Sequence, residues 1–225
     1  MELTAMANWL NTAFAGYDGA ILNAMHALAE SAGKVLTPVM KLITLLGEKG
    51  LLLFLLALVF MCFARTRKFG VCVFGAVCCG ALITNVILKD MVARPRPFEG
   101  LQQFTQYWQF LGSPAEDGFS FPSGHVTAAA SGLTALCLIT KDKRLIAPSA
   151  VIVVLMGISR NYLMAHYPSD VLFAMLIGVA SAFIAWAITR LIYSFLEANE
   201  DNGFCSFVLE FNITDLKKAG YQGKH

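Results

Sequence analysis

The residues Ser159-Arg160-Asn161-Tyr162-Leu163-Met164-Ala165-His166-Tyr167-Pro168-Ser169-Asp170 form a polar island between two runs apolar enough to cross a bilayer. A histidine four residues before a carboxylate can donate one ring N–H to it, which fixes the tautomer and leaves the other nitrogen free to attack or to take a proton. Arg160, six residues upstream of His166, adds a permanent planar cation suited to phosphate. The same residues also read as interfacial anchors at a helix end, with Asp170 complementing the dipole of the next helix. Two further islands weigh against that plainer reading.

The first is Lys89-Asp90-Met91-Val92-Ala93-Arg94-Pro95-Arg96-Pro97, where a lysine in the last turn of a helix precedes two arginines held extended by prolines. It offers three cations to one anion; ordinary snorkelling is the alternative. The second is Phe119-Ser120-Phe121-Pro122-Ser123-Gly124-His125, at the start of an apolar run. Ser123 is a good N-cap, and Gly124 lets a ligand approach the unpaired N–H groups at the positive end of the helix dipole. His125 adds a proton donor within reach of the same anion. A capped helix with an interfacial histidine is the alternative here.

Composition names the solvent. Of 225 residues, 57% are hydrophobic and 14% charged, with a mean hydropathy of +0.62. A soluble domain has about 25% charged residues, so an integral membrane protein is expected. A net charge of +2, with no basic run flanked by aromatics, gives no reason to expect nucleic acid. Five of the six cysteines lie in apolar runs, and none has the paired spacing of a zinc site. Residues 1–11 carry no positive residue and no apolar core, so no cleavable signal peptide is expected.

The elements that must position the islands are helices. Ile21, Leu22, Met25 and Leu28 make one apolar stripe, and Val35, Leu36, Val39, Met40, Ile43 and Leu46 another, separated by Ser31-Ala32-Gly33; two short interfacial helices are expected over residues 1–46. Spans are expected at Leu51–Ala64, Gly70–Leu88, Gly124–Thr140, Leu145–Leu163 and Val171–Thr189. The fold class is therefore all-α, a polytopic membrane bundle of five to six transmembrane helices preceded by short amphipathic ones. Residues 1–196 form the membrane-embedded domain, with a transmembrane core over 50–195, and 197–225 form a polar tail. Arg65, Arg67, Lys68, Lys141, Lys143, Arg144 and Arg190 fall on one side, which the positive-inside rule makes cytoplasmic. The islands gather on the opposite face, and the tail is cytoplasmic. The aromatic-rich loop carrying Phe98, Phe104, Tyr107, Trp108, Phe110, Phe119 and Phe121 reads equally as a cover for the site or as a plain interfacial belt.

In order and spacing, Lys89-x6-Arg96-Pro97, Pro122-Ser123-Gly124-His125 and Ser159-Arg160-x5-His166-x3-Asp170 resemble the three-part signature of the type 2 phosphatidic acid phosphatase family, which includes vanadium haloperoxidases and non-specific acid phosphatases. No signature position departs from the pattern, and the resemblance covers residues 15 to 195. It implies that Lys89, Arg96 and Arg160 hold the phosphoryl oxygens, completed by Ser123 and the backbone N–H of Gly124. His166 would be the nucleophile, Asp170 its orienting carboxylate, and His125 the acid that protonates the leaving oxygen and later activates water. No metal or cofactor is implied. The expected activity is hydrolysis of a lipid phosphate or diphosphate at the extracytoplasmic face of a bacterial inner membrane: undecaprenyl diphosphate, phosphatidylglycerophosphate or phosphatidic acid, in that order. Two alternatives remain open, a lipid phosphotransferase using the same site and a non-enzymatic transporter.

Overall fold

The computed structural model describes residues 3–214 and is helical throughout, with no strand among the described residues. In chain order the helices are α1 (Ala5–Ala13), α2 (Ala15–Leu46), α3 (Leu51–Met61), α4 (Ala64–Ala81), α5 (Lys89–Val92), α6 (Pro97–Gly100), α7 (Gln102–Phe110), α8 (Gly124–Thr140), α9 (Ile146–Tyr162), α10 (Pro168–Ala198) and α11 (Gly203–Glu210). Three helical stretches are long and apolar enough to cross a membrane: Ala64–Gly100, Lys143–Tyr162 and Pro168–Ala198. Helices α2 and α3, bent by 42° at their junction, qualify together as a fourth, and α8 is a shorter apolar helix of 17 residues.

The expected pair of short amino-terminal helices is instead the single 32-residue α2, which runs through Ser31-Ala32-Gly33. The reason is tertiary. A helix passes through glycine at a cost of about 1 kcal/mol, and here Gly33 lies against α9: a methyl group added to it would sit 3.6 Å from the Tyr162 hydroxyl. That hydroxyl in turn hydrogen-bonds Thr37 at 2.7 Å. The buried residues of α2 are Asp18, Leu22, Ala29 and Met40, whose spacings of 4, 7 and 11 keep them on one helical face.

Helices α4, α8 and α10 form the centre of the bundle. Lipid tails are as apolar as leucine, so helices in a bilayer gain little from merely hiding hydrophobic side chains; close packing of small residues supplies the attraction instead. The buried cluster between these helices and α3 accordingly consists of Ala57, Cys72, Val73, Ala76, Ala135, Ala182 and Ala185. Gly178 of α10 lies so near α8 that an added methyl would fall 2.6 Å from Ala130 Cβ. Many of the large apolar side chains point outward, among them Leu172, Leu176, Phe183, Leu191 and Phe195, as a lipid-facing surface requires.

Between α4 and α5 the chain makes a π-helical stretch, Leu82–Leu88. A spacing of four residues overshoots an α-helical turn by about 40°, so positions 77, 81, 85 and 89 would otherwise drift around the helix. The wider turn corrects the drift, and Val77, Ala81, Asn85 and Lys89 all line one cavity. At the other end of the molecule, part of the expected tail is folded: Arg67 donates to the carbonyls of Val208 and Phe211, and the Asn212 side chain accepts from Ala64 N at 2.9 Å. The rest of that tail, from residue 215 onward, lies outside the described residues.

Candidate active site

The three islands converge. One cavity of about 240 Å³ is lined by Lys89 and Arg96 from the first island, Gly124 and His125 from the second and His166 from the third, together with Asn85, Glu116 and Asp117. Arg160 reaches the same place through Glu116. One oxygen of that carboxylate accepts from Arg160 Nη2, and the other stands 3.2 Å from Arg96 Nη1. A carboxylate bridging two guanidinium groups presents a pair of oxygens to planar forks of the kind that also bind phosphoryl oxygens in pairs.

Arg160 is fully buried, yet its Nε and Nη1 have no hydrogen-bond partner. Unpaired buried donors are costly and rare, and two of them on one arginine mark the place where an anion belongs. Ser123 adds a third unpartnered group. It occupies the N-cap position of α8 in extended conformation, but its hydroxyl makes no capping bond and is buried without a partner. The sequence expectation of a serine cap is thus corrected: the first-turn amides of α8 and the Ser123 hydroxyl are both left for a ligand.

Arg96 also has a structural task that its motif position does not announce. Its guanidinium donates to the carbonyls of Gly118 at 2.9 Å, Ala165 at 2.8 Å and Asp117 at 2.6 Å. It therefore ties the 116–118 segment to the turn that carries His166, while its positive charge remains at the cavity.

His166 is 2% exposed. Its Nδ1 lies 2.6 Å from the Ser120 carbonyl, which can only accept, so Nδ1 carries the proton and Nε2 keeps its lone pair. Asp170 was expected to receive this N–H directly; its Oδ2 instead stands 3.9 Å from Nδ1. The spacing of four residues brings side chains together on a helix, but α10 begins only at Pro168, so His166 lies in the preceding turn. Asp170 acts one bond further back. Its Oδ2 accepts from the Ser120 hydroxyl and, at 2.9 Å, from Tyr167 N, while its Oδ1 accepts from Arg94 Nη1 at 2.6 Å. Met164, two residues before His166, has the left-handed φ of +57°, a strained conformation for a non-glycine residue.

Sequence reasoning missed Ser120, Glu116 and Asp18 and misplaced Arg94. Arg94 was counted with Lys89 and Arg96 as one of three cations facing a single anion, but it does not line the cavity and pairs instead with the carboxylates of Asp18 and Asp170. Asp18 left one signal, a lone acid on the buried stripe of an otherwise apolar helical face. The aromatic loop is also more internal than a plain belt. Phe98 stacks on Trp108 with centroids 4.5 Å apart, Phe121 packs edge-on against Phe173, and Phe104 is buried, while Phe110 remains exposed.

Burial, followed by the nearby charges of Arg96, Arg160 and Lys89 and by His125, holds the His166 imidazole well below its ordinary value of 6.5. Folding therefore favours the neutral ring; this contribution to stability is complete above pH 6.5 and is lost as the pH falls below it. In protein carrying ¹⁵N-labelled histidine, the His166 resonances, assigned by their loss in His166→Gln, should titrate with a midpoint below the ordinary histidine value. A midpoint at the ordinary histidine value would contradict this.

Comparison with known proteins supplies the family. The undecaprenyl-diphosphatase of Sulfolobus acidocaldarius is 29% identical over 123 residues, covering 55% of this chain and 56% of that protein, so the chain spans little more than half of this relative's length. Phosphatidylglycerophosphatase B of Bacillus subtilis is 31% identical over 194 residues, 78% of this chain and 88% of its own. The crystal structure of a transmembrane PAP2 type phosphatidylglycerolphosphate phosphatase from Bacillus subtilis superposes with a TM-score of 0.65 at 26% identity, covering 83% of this chain and 92% of that one. Residues 69–193, more than half of the chain and inclusive of all three islands, match the PAP2 superfamily, and the chain belongs to it.

Proposed function

We propose that this protein is an integral membrane phosphatase that hydrolyses lipid phosphates or diphosphates through a phosphohistidine intermediate. The observation that carries the reading is the single cavity in which Lys89, Arg96, Gly124, His125 and His166 meet. Lys89, Arg96 and Arg160 neutralise the phosphoryl oxygens, and the amide of Gly124 and the hydroxyl of Ser123 complete the cradle. His166 Nε2 attacks phosphorus as the ester or anhydride oxygen leaves, and His125 delivers the proton which that oxygen needs. His125 then takes a proton from water as it attacks the phosphohistidine, releasing inorganic phosphate and restoring both rings. Three fixed cations and a helix terminus supply the positive charge, so no metal is needed.

The relatives are named for lipid substrates: an undecaprenyl-diphosphatase and phosphatidylglycerophosphatases. Undecaprenyl diphosphate, phosphatidylglycerophosphate and phosphatidic acid are the candidates here, in that order. The loop charges support an extracytoplasmic site and a cytoplasmic carboxyl terminus, and the proposed setting is a bacterial inner membrane with residues 1–196 as the membrane-embedded domain. The test is a comparison of kcat/KM in one detergent with EDTA present. Long-chain lipid phosphates should exceed p-nitrophenyl phosphate severalfold or more, because chain binding positions the phosphoryl group. Equal or better turnover of the soluble ester would remove the lipid assignment. Labelled phosphate appearing in a second lipid instead of in free phosphate would identify a transferase.

A further inference from the structure

We propose that Arg94 and Asp18 are positioning residues for His166, acting through a buried chain of hydrogen bonds that runs from α2 through Asp170 and Ser120 to the imidazole. This rests on the assignment of His166 as the nucleophile. Every donor of the Arg94 guanidinium that points inward is engaged: Nε with Asn11 Oδ1 at 2.8 Å, Nη1 with Ser169 Oγ at 2.8 Å and Asp170 Oδ1 at 2.6 Å, and Nη2 with Asp18 Oδ2 at 2.8 Å. Its flat face lies 3.9 Å from the centre of the Tyr167 ring. The Arg94 carbonyl also accepts from Ser120 N at 2.7 Å. Backbone and side chain of one residue therefore hold both ends of Ser120: the amide directly, and the hydroxyl through Asp170. The carbonyl of that same serine fixes Nδ1 of His166.

Asp18 is the anchor of this chain. Its Oδ1 accepts from Ser169 N at 2.8 Å, and its Oδ2 from Ser169 Oγ at 2.7 Å and from Arg94. A carboxylate from α2 thus caps the first turn of α10, three residues beyond His166. Arg94, Asp18 and Asp170 are 1%, 3% and 0% exposed. Buried charges persist only when every partner is in place, so the geometry has little freedom.

A purely structural staple would hold helices together without setting the imidazole, and the test separates the two. Arg94→Lys keeps the charge but cannot reproduce a planar fork with four partners. Asp18→Asn keeps the shape and leaves Arg94 paired with Asp170, so it carries the test if Arg94→Lys fails to fold. On phosphatidic acid in mixed detergent micelles, kcat should fall about 10 to 100-fold in Arg94→Lys and about 3 to 10-fold in Asp18→Asn. KM and inhibition by orthovanadate should stay within about threefold, because the phosphate-binding groups are untouched. The His166 Nδ1–H resonance should move or exchange faster in both variants. It should stay put in Gly70→Ala, a destabilised control in which the added methyl meets Ala57 O at 2.5 Å, remote in sequence from all three islands. Unchanged kcat in both variants, or a loss that follows thermal stability as in Gly70→Ala with the resonance unmoved, would overturn the inference. Failure of the functional reading looks different: wild type and His166→Ala would be equally inert on every lipid phosphate, while the resonance arm would still report on positioning.

Discussion

His166→Ala should reduce turnover of lipid phosphates to background, a loss of at least about 10⁴-fold, and should leave no acid-labile, base-stable phosphoenzyme. The Nε2 lone pair is available for attack because Nδ1 is committed to the Ser120 carbonyl. His125→Ala should behave differently. Removal of an acid–base group costs about 10² to 10⁴-fold with a poor leaving group, but an aryl phosphate needs little protonation as it departs, so phosphoenzyme should still form and should then accumulate. Rapid-quench labelling of the two variants with the same radiolabelled aryl phosphate distinguishes the roles. Near-normal turnover in His166→Ala would end the assignment.

Arg160 carries the second large effect. Arg160→Ala should lower kcat/KM about 10³-fold, the low end of what a transition-state arginine contributes in phosphoryl transfer. Arg160→Lys should recover only part of this, because a point charge cannot present two parallel donors to adjacent oxygens. The fold should survive both changes. Glu116, the ion-pair partner, retains Arg96 at 3.2 Å and is 14% exposed, so it is not left as a buried, unpaired charge. Steady-state kinetics alongside a thermal-shift measurement checks both halves. An Arg160→Lys enzyme within about threefold of wild type would show that charge alone suffices at this position.

The islands were legible because each announces itself locally: charged and titratable groups at the ends of apolar runs have few innocent explanations in a bilayer. Loop-side counting put them on one face; that they meet in one cavity is what the structure adds. What the sequence hid was partnership. Asp18 and Arg94 lie 76 residues apart, and nothing near either residue names the other. The four-residue spacing of His166 and Asp170 suggested direct contact, a rule that holds on a helix and fails in the turn before Pro168. The interruption at Ser31-Ala32-Gly33 was misread for a related reason: glycine can end a helix or let a second one pack close against it, and only the position of Tyr162 decides which.

Glu116 lies between the two arginines of the site. Two guanidinium groups set side by side for a phosphoryl group repel one another when nothing lies between them, and here a carboxylate from the same chain bridges them. The cations are thus kept in place between turnovers, and little rearrangement is needed when substrate arrives. The corollary is that each arrival and each departure is an exchange of anions rather than the filling of a void. A ligand is held only by the margin through which its own charge and shape exceed those of the glutamate. Inorganic phosphate, lacking a hydrocarbon chain to add to that margin, is the species most easily expelled. In the proposed reaction, an internal tenant of this kind would work against product inhibition by the phosphate released at every cycle.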